Sequence, residues 1–299
     1  MTARGAGTPG APGGTSGVTP DTLDGTSGVA GTSDATGTSD VERLPGEHGV
    51  GGPAGEAHVA ELRAETADAV HAHVVVAVDG PAGSGKSSVS RAAASALGFD
   101  YQDTGAAYRA FALHALQQGV DLEDADAVVG ALPSFRYGIG TDADQAPSVT
   151  VDGRDVTDEI RTPRVTGAVS HVAKLPEVRR YMVDLFRRVI AGTDRRGIVT
   201  EGRDITTVVV PDAQVRILLT ASEEARMARR SAEVTGQSAA ETARQLSDRD
   251  ARDSKVVDFM TASPGVATVD TTHLDFYQTV QAVVQLVRDA TASDAGTTP

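Results

Sequence analysis

Residues 80–87 read Gly80-Pro81-Ala82-Gly83-Ser84-Gly85-Lys86-Ser87 and satisfy the pattern G-x-x-x-x-G-K-[ST] in full. Its glycines let the backbone curl so that consecutive N–H groups face one anion. A helix beginning near Lys86 would aim its positive end at the same point. Lys86 is spaced to bridge the β- and γ-phosphates of a nucleoside triphosphate, and the Ser87 hydroxyl to ligate Mg²⁺. Ser88 completes the triphosphate-binding stretch that starts at Gly80. A second phosphate would need its own cations. Asp103-Thr104-Gly105-Ala106-Ala107-Tyr108-Arg109 follows a strand-like segment, at the end where open α/β sheets place ligands. Arg109, one turn into the next helix, could fork onto an acceptor phosphate; elsewhere the same residue would be a solvated charge. Glu201-Gly202-Arg203-Asp204 is another strand-end cluster. Arg249, Arg252 and Asp253 share one helix face, although Arg249 and Asp253 could equally pair with each other.

These groups need a frame. Val74–Val78 is a continuous apolar run, β-branched except at Ala77, as expected of a strand buried on both faces of a parallel sheet. Helical spacing follows over Ser87–Leu97, with Gly98 as its C-cap, then a strand at Phe99–Gln102 and helices at Ala106–Gln118 and Asp121–Leu132. The period then changes: Phe135–Ile139 and Ser148–Val151 alternate and are separated by turn residues, which predicts a small antiparallel insert. Helices are expected at Thr166–Ala173, Pro176–Ile190, Ser222–Val234, Ala239–Asp253 and Leu274 to about Asp289. Strands are expected at Gly197–Thr200, Val215–Thr220 and Val266–Val269. Alternation of strand and helix predicts a parallel α/β sheet into which the antiparallel piece is inserted.

Composition narrows the chemistry. Of the 32 Gly in 299 residues, 15 fall in residues 1–57, which contain no Phe, Tyr or Ile. Such a segment cannot bury enough apolar surface to offset its ordering entropy, so residues 1–73 are expected to be a disordered tail with a short helix at 59–71. His71 and His73 precede the first strand and read as solvated side chains. The folded domain is expected over 74–291, with the insert at about 133–175, a lid at about 226–245 and a disordered end at 292–299. The absence of Cys excludes disulfide scaffolds, thiolate metal sites and a cysteine nucleophile, and suits a cytoplasmic protein. A net charge of -14 argues against nucleic-acid binding, and no apolar run is long enough to span a bilayer. The chain contains no Asn, so it lacks the Asn-Lys-x-Asp guanine-reading motif. Gly83-x-Gly85-x-x-Ser88 lacks the third glycine of a dinucleotide fingerprint. What remains is a compact phosphotransferase with a small acceptor.

The motifs together resemble the bacterial cytidylate kinases. Asp79–Ser87 is similar to that family's phosphate-binding loop and Asp103–Arg109 to its D-[ST]-G-A-x-Y-R segment. Val151–Pro163 resembles its insert segment, and Glu201–Asp204 with Thr207–Ala213 matches a further stretch. The resemblance runs from about Val74 to Val287. It implies a P-loop nucleoside-monophosphate-kinase fold: a central parallel sheet flanked by helices, a small antiparallel monophosphate-binding insert and a short helical lid. It also implies transfer of the ATP γ-phosphoryl group to CMP or dCMP with Mg²⁺, by a monomer. Carried over by motif, Lys86, Arg109, Arg203 and Arg229 would serve catalysis. Arg109 and Arg203 would hold the acceptor phosphate, with Thr104, Arg249 and Asp253 around the pentose. Ser170, Arg179 and Asp204 would read the cytosine edge, whose N3 and O2 accept hydrogen bonds and whose N4 donates. Arg229 would reach over the ATP phosphates from the lid. After Asp253-Ser254 the family commonly has Thr-Arg and then Pro-Leu, whereas this chain has Lys255-Val256-Val257-Asp258-Phe259-Met260. Lys255 could replace the charge of that Arg but not its two-pronged geometry. Two other readings fit the motifs: a kinase for UMP or another small acceptor, and a silent ATP-binding regulator.

Overall fold

The computed structural model describes residues 73–233, 247, 250, 251, 254 and 257–295. The tail and its short helix, and Arg249, Arg252, Asp253, Lys255 and Val256, lie outside the described residues.

Five parallel strands form the main sheet: β1 (Val74–Asp79), β2 (Asp100–Asp103), β6 (Gly197–Gly202), β7 (Val215–Thr220) and β8 (Ala267–Asp270), in the spatial order β2-β6-β1-β7-β8. The apolar run at 74–78 thus lies at the centre, as its pattern predicts. Because successive side chains alternate across a strand, the sheet divides two cores. Val74, Val76 and Val78 face one of them, packed with α1 (Lys86–Leu97) and α7 (Phe276–Ala295). Ala77 and Ile198 face the other, with α2 (Thr104–Gln117), α4 (Pro163–Ala173) and α5 (Pro176–Ala191). Burial on both faces explains why β1 and β6 carry so few polar residues before their last positions.

Gly98 ends α1 in the left-handed conformation, φ 67°, as a glycine C-cap does. The helix expected at Asp121–Leu132 is shorter. Asp124 caps only α3 (Ala125–Gly130), because its carboxylate accepts from the N–H groups of Asp126 and Ala127. The insert has three antiparallel strands rather than two. β3 (Tyr137–Ile139) and β4 (Val149–Val151) are joined by β5 (Arg154–Asp155), which pairs back across the Asp152-Gly153 turn. Asp152 and Gly153 both have positive φ, 53° and 77°, the tight hairpin geometry. A π-helical turn at Ile205–Val209 follows β6, and α7 runs to Ala295, beyond the expected end near Asp289.

Candidate active site

The phosphate-binding loop leaves the carboxyl end of β1. Asp79, the last strand residue, is buried and accepts hydrogen bonds from Ile205 N–H (2.8 Å), Thr206 N–H (2.8 Å) and the Thr206 hydroxyl (2.6 Å). Burial raises its carboxyl above the ordinary carboxylate value, and the Thr206 and Ile205 donors offset only part of that rise. Asp79 thereby fixes the π-helical turn against the loop. Gly80 allows the chain to pass β7: a Cβ there would lie 2.1 Å from the Leu219 carbonyl oxygen. Gly83 and Gly85 have φ of 77° and 83°, and the Ser84 hydroxyl donates to the Pro81 carbonyl at 3.0 Å. α1 starts at Lys86, so its first N–H groups open into the loop. Ser88 lies half-buried in that first turn.

One carboxylate organises the reactive end of this loop. Glu201 accepts from the Ser87 hydroxyl at 2.7 Å and pairs with Lys86 Nζ at 3.3 Å. Its backbone carbonyl accepts from the Thr104 hydroxyl at 2.7 Å. Glu201 stands in register with Val78 on one side and Asp103 on the other. The triphosphate loop and the Asp103–Arg109 segment are therefore two strand spacings apart, about 10 Å.

Asp103 caps α2 by accepting from Ala106 N–H (3.0 Å) and pairs with Arg109 Nη2 at 2.8 Å. Burial pushes the Asp103 carboxyl up, but the Arg109 guanidinium and the Ala106 N–H more than reverse this and hold it below the ordinary value. Thr104 is buried and ties α2 to β6, which leaves its hydroxyl engaged with backbone. Beyond β6, Arg179 on α5 donates to Asp204. Burial raises the Asp204 carboxyl, and Arg179 offsets part of the rise. Ser170 is half-buried on α4.

A second group of cations approaches the loop from α6 (Glu223–Glu233) and the segment after it. Ala82 is held on both sides of its backbone: its N–H donates to Asp250 at 3.0 Å and its carbonyl accepts from Arg226 at 2.9 Å, while Arg226 and Asp250 pair with each other. Arg203 donates to the Gly80 carbonyl at 2.5 Å and lies over the Phe259 ring, 4.8 Å from its centroid. Arg229 donates to the Thr271 hydroxyl (2.8 Å) and carbonyl, and more distantly to the Ser84 carbonyl (3.4 Å). It is thus anchored to the loop after β8.

Lys86, Ser87, Arg203, Arg226 and Arg229 all meet the phosphate-binding loop or its partner carboxylate. Arg109 stands at the second site, and Arg179 with Asp204 forms a third group. Sequence reasoning gave no role to Glu201, Arg226, Asp250 or Phe259. Glu201 had a readable signal, an acid closing the apolar strand Ile198–Val199. Arg226 and Asp250 are ordinary charges on polar helices, and nothing local distinguishes them.

A magnesium ion fits the oxygens at this place. Mg²⁺ is commonly held by one or two protein oxygens and completed by substrate phosphates. The Ser87 hydroxyl and Glu201 carboxylate supply such oxygens at the mouth of the loop. Among the described residues, no group of three or more His or acidic side chains could hold a metal alone.

Comparison with known proteins agrees with this geometry. Residues 76–289 match the family model described as cytidylate kinase. The chain is similar to a protein named cytidylate kinase from Streptomyces griseus, 45% identical over 223 residues, covering 74% of this chain and 96% of that one. A protein of the same name from Streptomyces coelicolor is 47% identical over 220 residues, covering 73% and 94% of the two chains. Another, from Rhodococcus jostii, is 44% identical over 225 residues, covering 74% and 97%.

Proposed function

The chain belongs to the cytidylate kinase family, and we propose that it phosphorylates CMP and dCMP with ATP, giving CDP or dCDP and ADP. The observation that carries this reading is the strand register. The loop and the half-buried Arg109 lie on either side of Glu201, two strand spacings apart, which supports separate donor and acceptor sites.

In this reading an oxygen of the CMP phosphate attacks the γ-phosphorus, forming a new P–O bond. The bond from the γ-phosphorus to the β–γ bridging oxygen breaks, and ADP carries away the electron pair. The attacking oxygen is already anionic, so no general base is needed. Catalysis then rests on in-line positioning and charge neutralisation. The residues from Gly80 to Ser88 would bind the ATP phosphates, with Lys86 transferring its attention from Glu201 to the β- and γ-oxygens. Arg109 and Arg203 would hold the CMP phosphate. Arg179, Asp204 and Ser170 would read the cytosine, and Arg249 and Asp253 the pentose. Thr104 would act from beneath, since its hydroxyl holds the Glu201 carbonyl. Arg229 would stiffen the loop from its anchor at Thr271. Ser87, with Glu201 beside it, would hold Mg²⁺, which when bound neutralises phosphate charge. We place this reaction in the cytoplasm and assign it to a monomer acting without nucleic acid or membrane. No described helix is long and apolar enough to cross a membrane.

The test is a panel of CMP, dCMP, UMP and AMP assayed with ATP and Mg²⁺. CMP and dCMP are expected to turn over fastest, and equal rates on AMP and CMP would overturn the cytidine reading. Lys86→Ala should abolish turnover with an unchanged circular dichroism spectrum; retained turnover would remove the kinase mechanism.

A further inference from the structure

We propose that Tyr137, on the antiparallel insert, is a further acceptor-binding residue whose phenol donates a hydrogen bond to the phosphate of the acceptor monophosphate beside Arg109. This rests on the kinase reading above and adds a contact that the motifs do not specify.

Tyr137 opens β3 and stands opposite Val151 of β4. Its ring leans on Phe135, 5.8 Å between centroids, and joins the core beneath the insert. The ring is partly exposed, but the hydroxyl oxygen is covered and has no hydrogen-bond partner among the described residues. Buried hydroxyls normally have partners, and an orphan calls for an explanation such as a group supplied by a ligand. A second orphan belongs to the same neighbourhood. Arg109 uses Nη2 on Asp103, while its Nε–H is buried without a partner. Beyond burial itself, the charges acting on the Tyr137 hydroxyl are those of Asp103 and Arg109. The reciprocal influence of Tyr137 on Arg109 is present as well.

The insert and α2 pack in one core, and each carries a buried donor without a partner, which calls for an acceptor supplied by a ligand. Asp103 does not supply it: its carboxylate accepts from Ala106 N–H and Arg109 Nη2 but from neither orphan. A phosphate does, since it offers several oxygens and can take the Arg109 edge and a phenol together. Burial and the Asp103 charge both raise the phenol's pKa, so it remains a donor throughout the working range. The insert thereby contributes a donor of its own to the acceptor phosphate, one that a nucleoside without phosphate would not use.

Tyr137→Phe keeps the ring and removes only the donor. The expected result is a rise of about tenfold in KM and Kd for CMP, as for loss of one hydrogen bond to a charged group. KM for ATP and Tm should be unchanged, and cytidine, which has no phosphate, should inhibit wild type and variant equally. An unchanged Kd for CMP would overturn the proposal. So would an equal loss of cytidine affinity, or a fall in Tm with constant KM, which would assign the hydroxyl to the base or to the fold. The same comparison is made on whichever monophosphate the wild type prefers. Failure of the CMP assignment in the panel is thus read separately from failure of the phosphate contact.

Discussion

At the scale of single residues, the buried carboxylates carry the pH dependence. In the role proposed above, Asp204 accepts most strongly from the cytosine amino group when ionised, the form that also holds its Arg179 partner. Burial raises its folded value above 3.8. As pH falls from neutrality through that raised value, Asp204 takes up a proton and kcat/KM for CMP should fall. Asp204→Asn should show the low value throughout, and a pH profile of both proteins checks this. The stability contributions of three of the site's acids fall into two opposite signs. The raised Asp204 and Asp79 favour folding below 3.8, and that contribution is lost as pH rises through their folded values. Asp103, held low against its own burial by Arg109, contributes above 3.8 and loses its contribution as pH falls further.

At the scale of elements, the contact between α6 and the phosphate-binding loop decides how the loop is held. Both backbone groups of Ala82 are tied to the Arg226–Asp250 pair, in which both residues are buried. Removing one partner of a buried pair leaves the other charge uncompensated, at a cost of about 3–5 kcal/mol. Asp250→Asn should therefore lose stability of that order in urea denaturation. It should also raise KM for ATP more than KM for CMP, because the disturbed backbone belongs to the donor loop. A stability loss with equal changes in both KM values would place the pair outside nucleotide binding. Phe259 belongs at this scale too. The segment that departs from the family pattern after Ser254 supplies an aromatic face beneath Arg203, so the local change of sequence leaves that cation supported.

At the scale of the whole molecule, an acidic protein holds cations of its candidate site in ion pairs. Lys86, Arg109, Arg179 and Arg226 each pair with a carboxylate there. In the proposed reaction, phosphates reaching Lys86 and Arg109 would compete with Glu201 and Asp103, which favours exchange of partners over binding to bare charge. Residues 1–57, with 2 Arg against 7 acidic residues, supply a disproportionate share of the net charge of -14 and none of the groups assigned to chemistry. Deleting them should leave kcat and both KM values within about twofold, because no group assigned to chemistry lies in that segment. A larger change in steady-state kinetics would give that segment a part in turnover.

The sequence by itself determined the donor loop, the parallel sheet and the family, because each depends on local order. A G-x-x-x-x-G-K-[ST] run needs only its own backbone to curl, and an unbroken Val74–Val78 run can be accommodated only between two apolar layers. Local spacing also exposed Arg109 and the Glu201–Asp204 cluster as strand-end groups. Tertiary structure alone decided which charge meets which. Glu201 reaches Lys86 and Ser87 across 114 or more positions because β6 is hydrogen-bonded beside β1. Arg226 and Asp250 meet Ala82 across gaps of 144 and 168 positions. The orphaned Tyr137 hydroxyl is visible only once the insert has folded against α2. Side-chain pairing at such separations is fixed by strand order and packing, and no period or motif in the chain encodes it.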